Sequence, residues 1–413
     1  MKYVVLVGDG MADRPIPELG NRTPLEVART PHMDRCAREG AGGLVRTVPE
    51  GMDPGSDVAN LSILGVDPSR CYTGRGPFEA AAMGAPLSGD EWAFRCNLVT
   101  VSEDVMVDYS GGHISSGEGR VLIALLAERF AGRGVRFHPG VGYRNIMIAP
   151  ERLLLDGEGA LRCVPPHDIA GRPIRDHLPT GRGSRLLREL MQASYLILSQ
   201  ETVNKVKIDL GENPANMIWL WGGGKKPATA AFRAERGIDG AVISAVDLIK
   251  GIGLSLGLEV IGVPGATGYY DTDYSAKAGA ALAALNEIDF VLVHVEAADE
   301  AGHNGDRSEK VRAIENFDAK VVGPVMDGLR RGGRPFRALL LPDHYTPLSL
   351  RTHTADPVPF CICGDGIRPD GMAAFSEKAA SSGSIRIEEG WRLMDELLSP
   401  RPGGRGGGAQ ECR

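Results

Sequence analysis

The sequence predicts an α/β protein: a mostly parallel sheet flanked by helices, with an α+β domain inserted into it. One local pattern, repeated three times, carries that reading. Tyr3-Val4-Val5-Leu6-Val7 runs into Gly8-Asp9-Gly10, Phe290 to Val295 leads toward Asp299, and Ala338-Leu339-Leu340-Leu341 runs into Pro342-Asp343-His344. A short, unbroken aliphatic run stopped by glycine or proline reads as a strand buried on both faces, the condition of a parallel strand between helices. Thr272 to Leu285 and Lys310 to Leu329 carry Ala, Leu, Val and Met at three- and four-residue spacings, as crossover helices do. Open sheets of this kind place their chemistry beyond the carboxyl ends of the strands. Asp9, Asp299, Asp343 and His344 all fall at or just after such ends.

Between about residue 60 and residue 290 the acid and imidazole candidates thin out, while Arg, Gly and short β-like runs accumulate. Phe94 to Thr100, Val105 to Tyr109 and Tyr143 to Ile148 alternate as strands do. An inserted substrate-binding domain over 66–245 accounts for this, with the core domain formed by 1–65 and 246–398. The exit is set near Ala241 to Gly253, a helix-like run that leads to Glu259-Val260-Ile261. The glycine-rich end, 399–413, has too little side chain to offset its ordering entropy and is expected to be disordered.

At 413 residues the chain exceeds the size at which one core stops growing, roughly 250–300 residues. A net charge of −7 argues against a duplex-binding surface, which gains affinity by neutralising phosphates with clustered Lys and Arg. The seven cysteines are scattered and read as reduced thiols, with Cys361 and Cys363 assigned to strand packing. The first residues lack a basic leader, and no apolar run approaches the roughly 20 residues of a membrane span. The expectation is a cytoplasmic protein with no nucleic-acid or membrane partner.

Asp299 and His303 are four apart, so on a helical turn both project from one face and suit a single cation; a surface ion pair or a cap is the alternative. Asp343-His344, at a strand end, can diverge toward two metals. With His353, the set forms the pattern of a two-metal phosphoryl-transfer site. Four of the nine histidines lie between His294 and His353, and His294, inside its strand, is assigned to packing. Mixed carboxylate and imidazole ligands favour Mn²⁺ first, with Zn²⁺ or Mg²⁺ as alternatives. Ser56, in Pro54-Gly55-Ser56-Asp57, precedes a helix-like run. It is either an N-cap or a nucleophile activated by a helix dipole and a nearby dication.

Gly8 to Asp13, Pro54 to Leu61, Tyr72 to Pro77, Phe94 to Asn97, Pro165 to Asp168, Asp299 to His303 and Arg351 to Phe360 resemble the cofactor-independent phosphoglycerate mutases of archaeal type, within the alkaline phosphatase superfamily. The resemblance runs in one order from Met1 to about Phe360. It implies an alkaline-phosphatase-like core. It also implies one metal on Asp299, His303 and His353, and a second on Asp9, Ser56, Asp343 and His344. Ser56 would be the nucleophile, and the substrate a small phosphorylated hydroxy acid. Lys277 resembles the family's lysine near the transferred phosphate; an exposed helix lysine is the alternative. Arg75, Arg95, Asn97 and Asp108 become candidates for the substrate carboxylate and hydroxyls, against surface ion pairs. Trp219 to Pro227 resembles a sub-branch proposed to contain homoserine kinases; its glycines lack the Walker spacing and read as a turn. The implied reaction interconverts 3-phosphoglycerate and 2-phosphoglycerate through phosphoserine. A metal-dependent phosphatase or another phosphotransferase on the same core is the alternative.

Overall fold

The computed structural model describes residues 1–399, so the expected tail, 399–413, lies outside the described residues apart from Ser399. Its strands, in chain order, are β1 (Lys2–Gly8), β2 (Ala41–Val45), β3 (Glu91–Ser102), β4 (Val105–Asp108), β5 (Arg136–Val141), β6 (Arg144–Pro150), β7 (Met217–Lys225), β8 (Gly240–Ile243), β9 (Glu259–Val260), β10 (Phe290–Val295), β11 (Phe336–Leu341), β12 (Val358–Gly364) and β13 (Ile385–Ile387). Two compact units emerge, one of Met1–Cys71 with the chain from Thr229 onward, the other of Tyr72–Ala228.

The first unit is built on an eight-stranded sheet in the order β13-β2-β12-β11-β1-β10-β8-β9. β1 lies parallel between β10 and β11, and β8 and β9 continue the parallel run, whereas β12 is antiparallel to β11 and β2. Val4, Leu6, Val291, Val293 and Leu340 point into one apolar core, together with Tyr274, Ala278, Phe317 and Val321 from the helices over that face. Their alternating neighbours Val5, Val7, Leu292 and Leu339 are equally sealed on the other face. Burial on both sides is why these strands read as continuous rather than alternating apolar runs. The expected crossover helices are present: Tyr274–Glu287, and Arg307–Phe317 continued through a π-helical turn, Asp318–Val322, into Gly323–Gly332.

The insertion expected over 66–245 ends too late. Gly240–Ile243 is β8, paired in register with Phe290–Val293 of β10, so it belongs to the large sheet. Its four residues are too short a run to separate by periodicity from the helix that follows, Asp247–Ser255.

The second unit packs β3, β4, β5, β6 and β7 as an antiparallel sheet against the helices Ser116–Arg129 and Ser184–Leu198. Trp219-Leu220-Trp221-Gly222-Gly223-Gly224-Lys225, expected to be a turn, is the body of β7. Its glycines serve close packing: a Cβ on Gly223 would run into the Phe94 ring, and one on Gly224 would meet Thr73. Among the described residues no helix is long and apolar enough to cross a membrane.

Candidate active site

Three adjacent parallel strands deliver the acidic and imidazole groups. In the β1–β10 ladder Gly8 faces Val295, and in the β1–β11 ladder Val7 faces Leu341. The strands therefore end level, and Asp9, Glu296 and Asp343 leave the sheet side by side. Gly10 makes the convergence feasible. It turns at φ +60°, and a Cβ there would sit 2.6 Å from both Asp299 Oδ1 and Thr346 Oγ1. Its N–H instead donates to Asp343 Oδ1 at 3.2 Å.

The groups gather into two overlapping clusters. Asp299, His344 and His353 each offer one ligand atom within 4.8 Å of the others, and Asp9, His294 and Asp343 do the same one layer deeper. His303 joins the first: its Nε2 is 3.2 Å from Asp299 Oδ2 and 2.9 Å from His353 Nε2. Its Nδ1 donates to the Arg351 carbonyl at 3.0 Å, which leaves the Nε2 lone pair facing the cluster. His344 Nε2 lies 3.4 Å from Asp9 Oδ1, 3.5 Å from Asp343 Oδ2 and 3.1 Å from Ser56 Oγ. Asp9, Ser56, Asp299, His303, Asp343, His344 and His353 are thus one constellation. The expected division between two metals is less clean, because His344 reaches both clusters.

The electrostatics of the protein alone are unbalanced. Burial, reinforced by the carboxylates of Asp343 and Asp299, pushes Asp9 well above the usual carboxylate range. Burial opposes ionisation of Asp343 as well, but His344 and His294 outweigh it and hold that carboxyl far down. For His303, burial is outweighed by Asp299, which raises the imidazole to about 9. For His344, burial prevails and lowers it to about 4. Asp9 Oδ1 and His294 Nε2 are buried without a hydrogen-bond partner. Acidic oxygens and imidazole nitrogens packed this closely, two of them orphaned, fit divalent cations, whose charge satisfies them together.

Ser56 opens the helix Ser56–Ile63, but Gly55 holds the cap position without a side-chain cap bond. The hydroxyl faces His344 instead of capping. One turn on, the Asn60 amide donates to the Ser56 carbonyl and to Asp343 Oδ2, both at 2.9 Å, which ties the helix start to the cluster. Lys277 is fully buried, so the exposed-lysine alternative fails. Its ammonium is 3.2 Å from Glu296 Oε2 and 3.0 Å from the His294 carbonyl.

In the second unit, three of the four expected substrate residues meet on Trp221. The guanidiniums of Arg95 and Arg75 lie 4.4 Å and 5.9 Å from its ring centroid, and its Nε1 donates to Asn97 Oδ1 at 3.2 Å. Arg95 is buried in an ion pair with Glu79 at 2.9 Å. Asp108 holds a loop, accepting from Ser110 N and Oγ, Gly112 N and Asn213.

His294 was expected only to pack; it is buried, yet it points Nε2 at Asp9 and Asp343. Glu296, Thr346 and Asn60 carried no expectation. The His294-x-Glu296 spacing at a strand end was a usable signal. Thr346, whose hydroxyl donates to Asp299 Oδ1 at 2.5 Å, had none.

A family model described as 2,3-bisphosphoglycerate-independent phosphoglycerate mutase matches residues 37–204. A relative of that description from Methanothrix thermoacetophila is 53% identical over 399 residues, spanning 97% of this chain and 100% of its own. A probable mutase of the same description from Geobacter sulfurreducens is 52% identical, spanning 96% and 100%. A solved structure from Pyrococcus horikoshii superposes with a TM-score of 0.80 at 28% identity, covering 98% of this chain and 99% of that one. The cofactor-independent phosphoglycerate mutase from Thermoplasma acidophilum gives 0.63 at 28%, covering 96% and 99%. With more than half its residues shared over nearly its whole length, the chain belongs to the family of 2,3-bisphosphoglycerate-independent phosphoglycerate mutases.

Proposed function

We infer that this chain interconverts 3-phosphoglycerate and 2-phosphoglycerate through a phosphoserine on Ser56, with no bisphosphoglycerate cofactor. The observation that carries the reading is the Ser56 hydroxyl, 3.1 Å from His344 Nε2 and at the edge of the carboxylate and imidazole constellation. Two divalent cations, Mn²⁺ in first place, would when bound ease ionisation of that hydroxyl and offset charge on the transferring phosphoryl group.

Ser56 Oγ attacks phosphorus; an Oγ–P bond forms, the ester bond to the substrate breaks, and the serine proton ends on the freed glycerate hydroxyl. The other glycerate hydroxyl then attacks the phosphoserine phosphorus, the Oγ–P bond breaks as the new ester bond forms, and the hydroxyl proton returns to Oγ. No water is consumed. The positive end of the Ser56–Ile63 helix favours the alkoxide, and Asn60 keeps that end in register with Asp343. Arg75, Arg95 and Asn97 are assigned to the acid portion of the substrate. Arg95, paired with Glu79, and Arg75 both lie over the Trp221 ring, which holds the two guanidiniums together as one cationic group. Asp108 acts through the loop it braces. Lys277 brings a buried positive charge beside the cluster through Glu296. Phosphoglycerates are intermediates of glycolysis and gluconeogenesis, and that role supports a cytoplasmic location.

The test is a coupled assay on 3-phosphoglycerate with Mn²⁺ and no bisphosphoglycerate, beside arms for phosphate release and for homoserine with ATP. Formation of 2-phosphoglycerate without accumulating phosphate supports the reading. Phosphate release without isomer, or ATP-dependent phosphorylation of homoserine alone, replaces it.

A further inference from the structure

His294 sits at the end of β10 with no solvent exposure, and its two ring nitrogens face different chemistries. Nδ1 is 3.0 Å from Glu296 Oε1. Nε2 has no hydrogen-bond partner and lies 3.5 Å from Asp9 Oδ2 and 3.7 Å from Asp343 Oδ2. A buried nitrogen left unsatisfied is unfavourable, so its position between two carboxylates indicates a partner that binds all three.

Glu296 explains which nitrogen is available. Its Oε1 also accepts from Ser244 Oγ at 2.9 Å, and its Oε2 pairs with the buried ammonium of Lys277 at 3.2 Å. A carboxylate held ionised by a lysine accepts hydrogen bonds and donates none. The proton of a neutral His294 ring is therefore drawn to Nδ1, and the Nε2 lone pair is aimed at the gap between Asp9 and Asp343. A carboxylate that fixes the far nitrogen is the arrangement by which proteins orient a metal-ligating histidine.

We propose that His294 is a protein ligand of the deeper cation through Nε2, beside Asp9 and Asp343, and that Glu296, Lys277 and Ser244 are positioning residues that set its tautomer. The inference rests on the two-metal reading above. An additional nitrogen donor in an otherwise carboxylate-rich site shifts preference from Mg²⁺ toward Mn²⁺ or Zn²⁺. The alternative chemistry for the same geometry is an imidazolium that only neutralises the two carboxylates. That role makes the opposite prediction, because removing a competing positive charge leaves cation affinity unchanged or raises it.

The experiment is calorimetric titration of the full chain, stripped with chelator, using Mn²⁺ and then Mg²⁺. Wild type is expected to bind two Mn²⁺. In His294→Asn one of the two should weaken by about tenfold or more while the other holds, and the Mn²⁺ to Mg²⁺ affinity ratio at the weakened site should fall. Glu296→Gln should weaken the same site by a smaller factor. Unchanged or tighter Mn²⁺ binding in His294→Asn, with the wild-type circular dichroism spectrum, overturns the inference. Should His294→Asn fail to fold, Glu296→Gln decides: a weakened site supports the assignment and an unchanged one overturns it. Absence of Mn²⁺ binding by wild type overturns the two-metal reading itself.

Discussion

Lys310 Nζ donates to Asp13 Oδ2 at 2.8 Å, and neither side chain meets solvent. The same ammonium donates to the Thr346 carbonyl at 2.7 Å and the Ala12 carbonyl at 3.4 Å, while Asp13 Oδ2 also accepts from Leu348 N. One buried pair thus fastens the loop after β1, which carries Asp9, to the loop after β11, which carries His344. Lys310→Met should leave Asp13 buried and unpaired, a loss of about 3–5 kcal/mol. Denaturant titration checks this, and the double variant Asp13→Asn, Lys310→Met should recover part of the loss. A single variant as stable as wild type would show that the pair does not hold the loops.

Ser56→Ala removes one oxygen from a half-buried helix start that has no capping role to lose. The melting temperature should stay within a few degrees of wild type. Turnover should drop by on the order of 10⁴-fold or more, as for an enzyme stripped of its nucleophile. Intact-protein mass spectrometry after quenching with substrate should find the phosphoryl adduct in wild type and not in the variant. An adduct that persists in the variant moves the nucleophile elsewhere.

Thr346→Val keeps the side-chain volume and deletes the hydroxyl that donates to Asp299 Oδ1 at 2.5 Å and lies 3.3 Å from His344 Nδ1. A hydrogen bond to a charged group contributes about 1.5–3 kcal/mol, and here it fixes the orientation of a candidate ligand. The variant should fold, need a higher Mn²⁺ concentration for half-maximal activity, and approach wild-type turnover at saturating Mn²⁺. Turnover lost at every Mn²⁺ concentration, with metal affinity intact, would assign Thr346 a different task.

The parallel sheet was legible because β1, β10 and β11 are sealed on both faces and must be written in continuous aliphatic runs. Asp9, Asp343 and His344 followed from strand ends, and Asp299 with His303 from helical spacing. β8 was not legible: four residues give no period to read, and the adjacent helix absorbed it. His294 was missed for a related reason, since alternation inside a fully buried strand does not distinguish a packing imidazole from one turned toward a site. Asn60 and Thr346 are common residue types whose roles exist only once Asp343 and Asp299 arrive from far along the chain. The resemblance singles out Arg75, Arg95 and Asn97, but the Trp221 face they share has no sequence signal, because the glycines of Trp219 to Pro227 read as a turn.

Glu377 supplies a pH dependence separate from the cluster. Its carboxylate accepts from Thr23 Oγ1 at 2.6 Å and Asp13 N at 3.0 Å, and burial, outweighing those bonds, raises it to about 7. A carboxyl whose folded value exceeds its unfolded one keeps more protons when folded, so its contribution is fully present below about 4.3 and is lost as pH rises through about 7. Glu377→Gln mimics the protonated form at every pH. The stability of wild type relative to this variant should therefore fall steadily between about pH 4.3 and pH 7 and level off above that. Urea midpoints for both proteins across that range, at fixed Mn²⁺, provide the check. A constant difference would mean that Glu377 titrates as an ordinary exposed carboxylate and that Thr23 and Asp13 bond it in its charged form throughout.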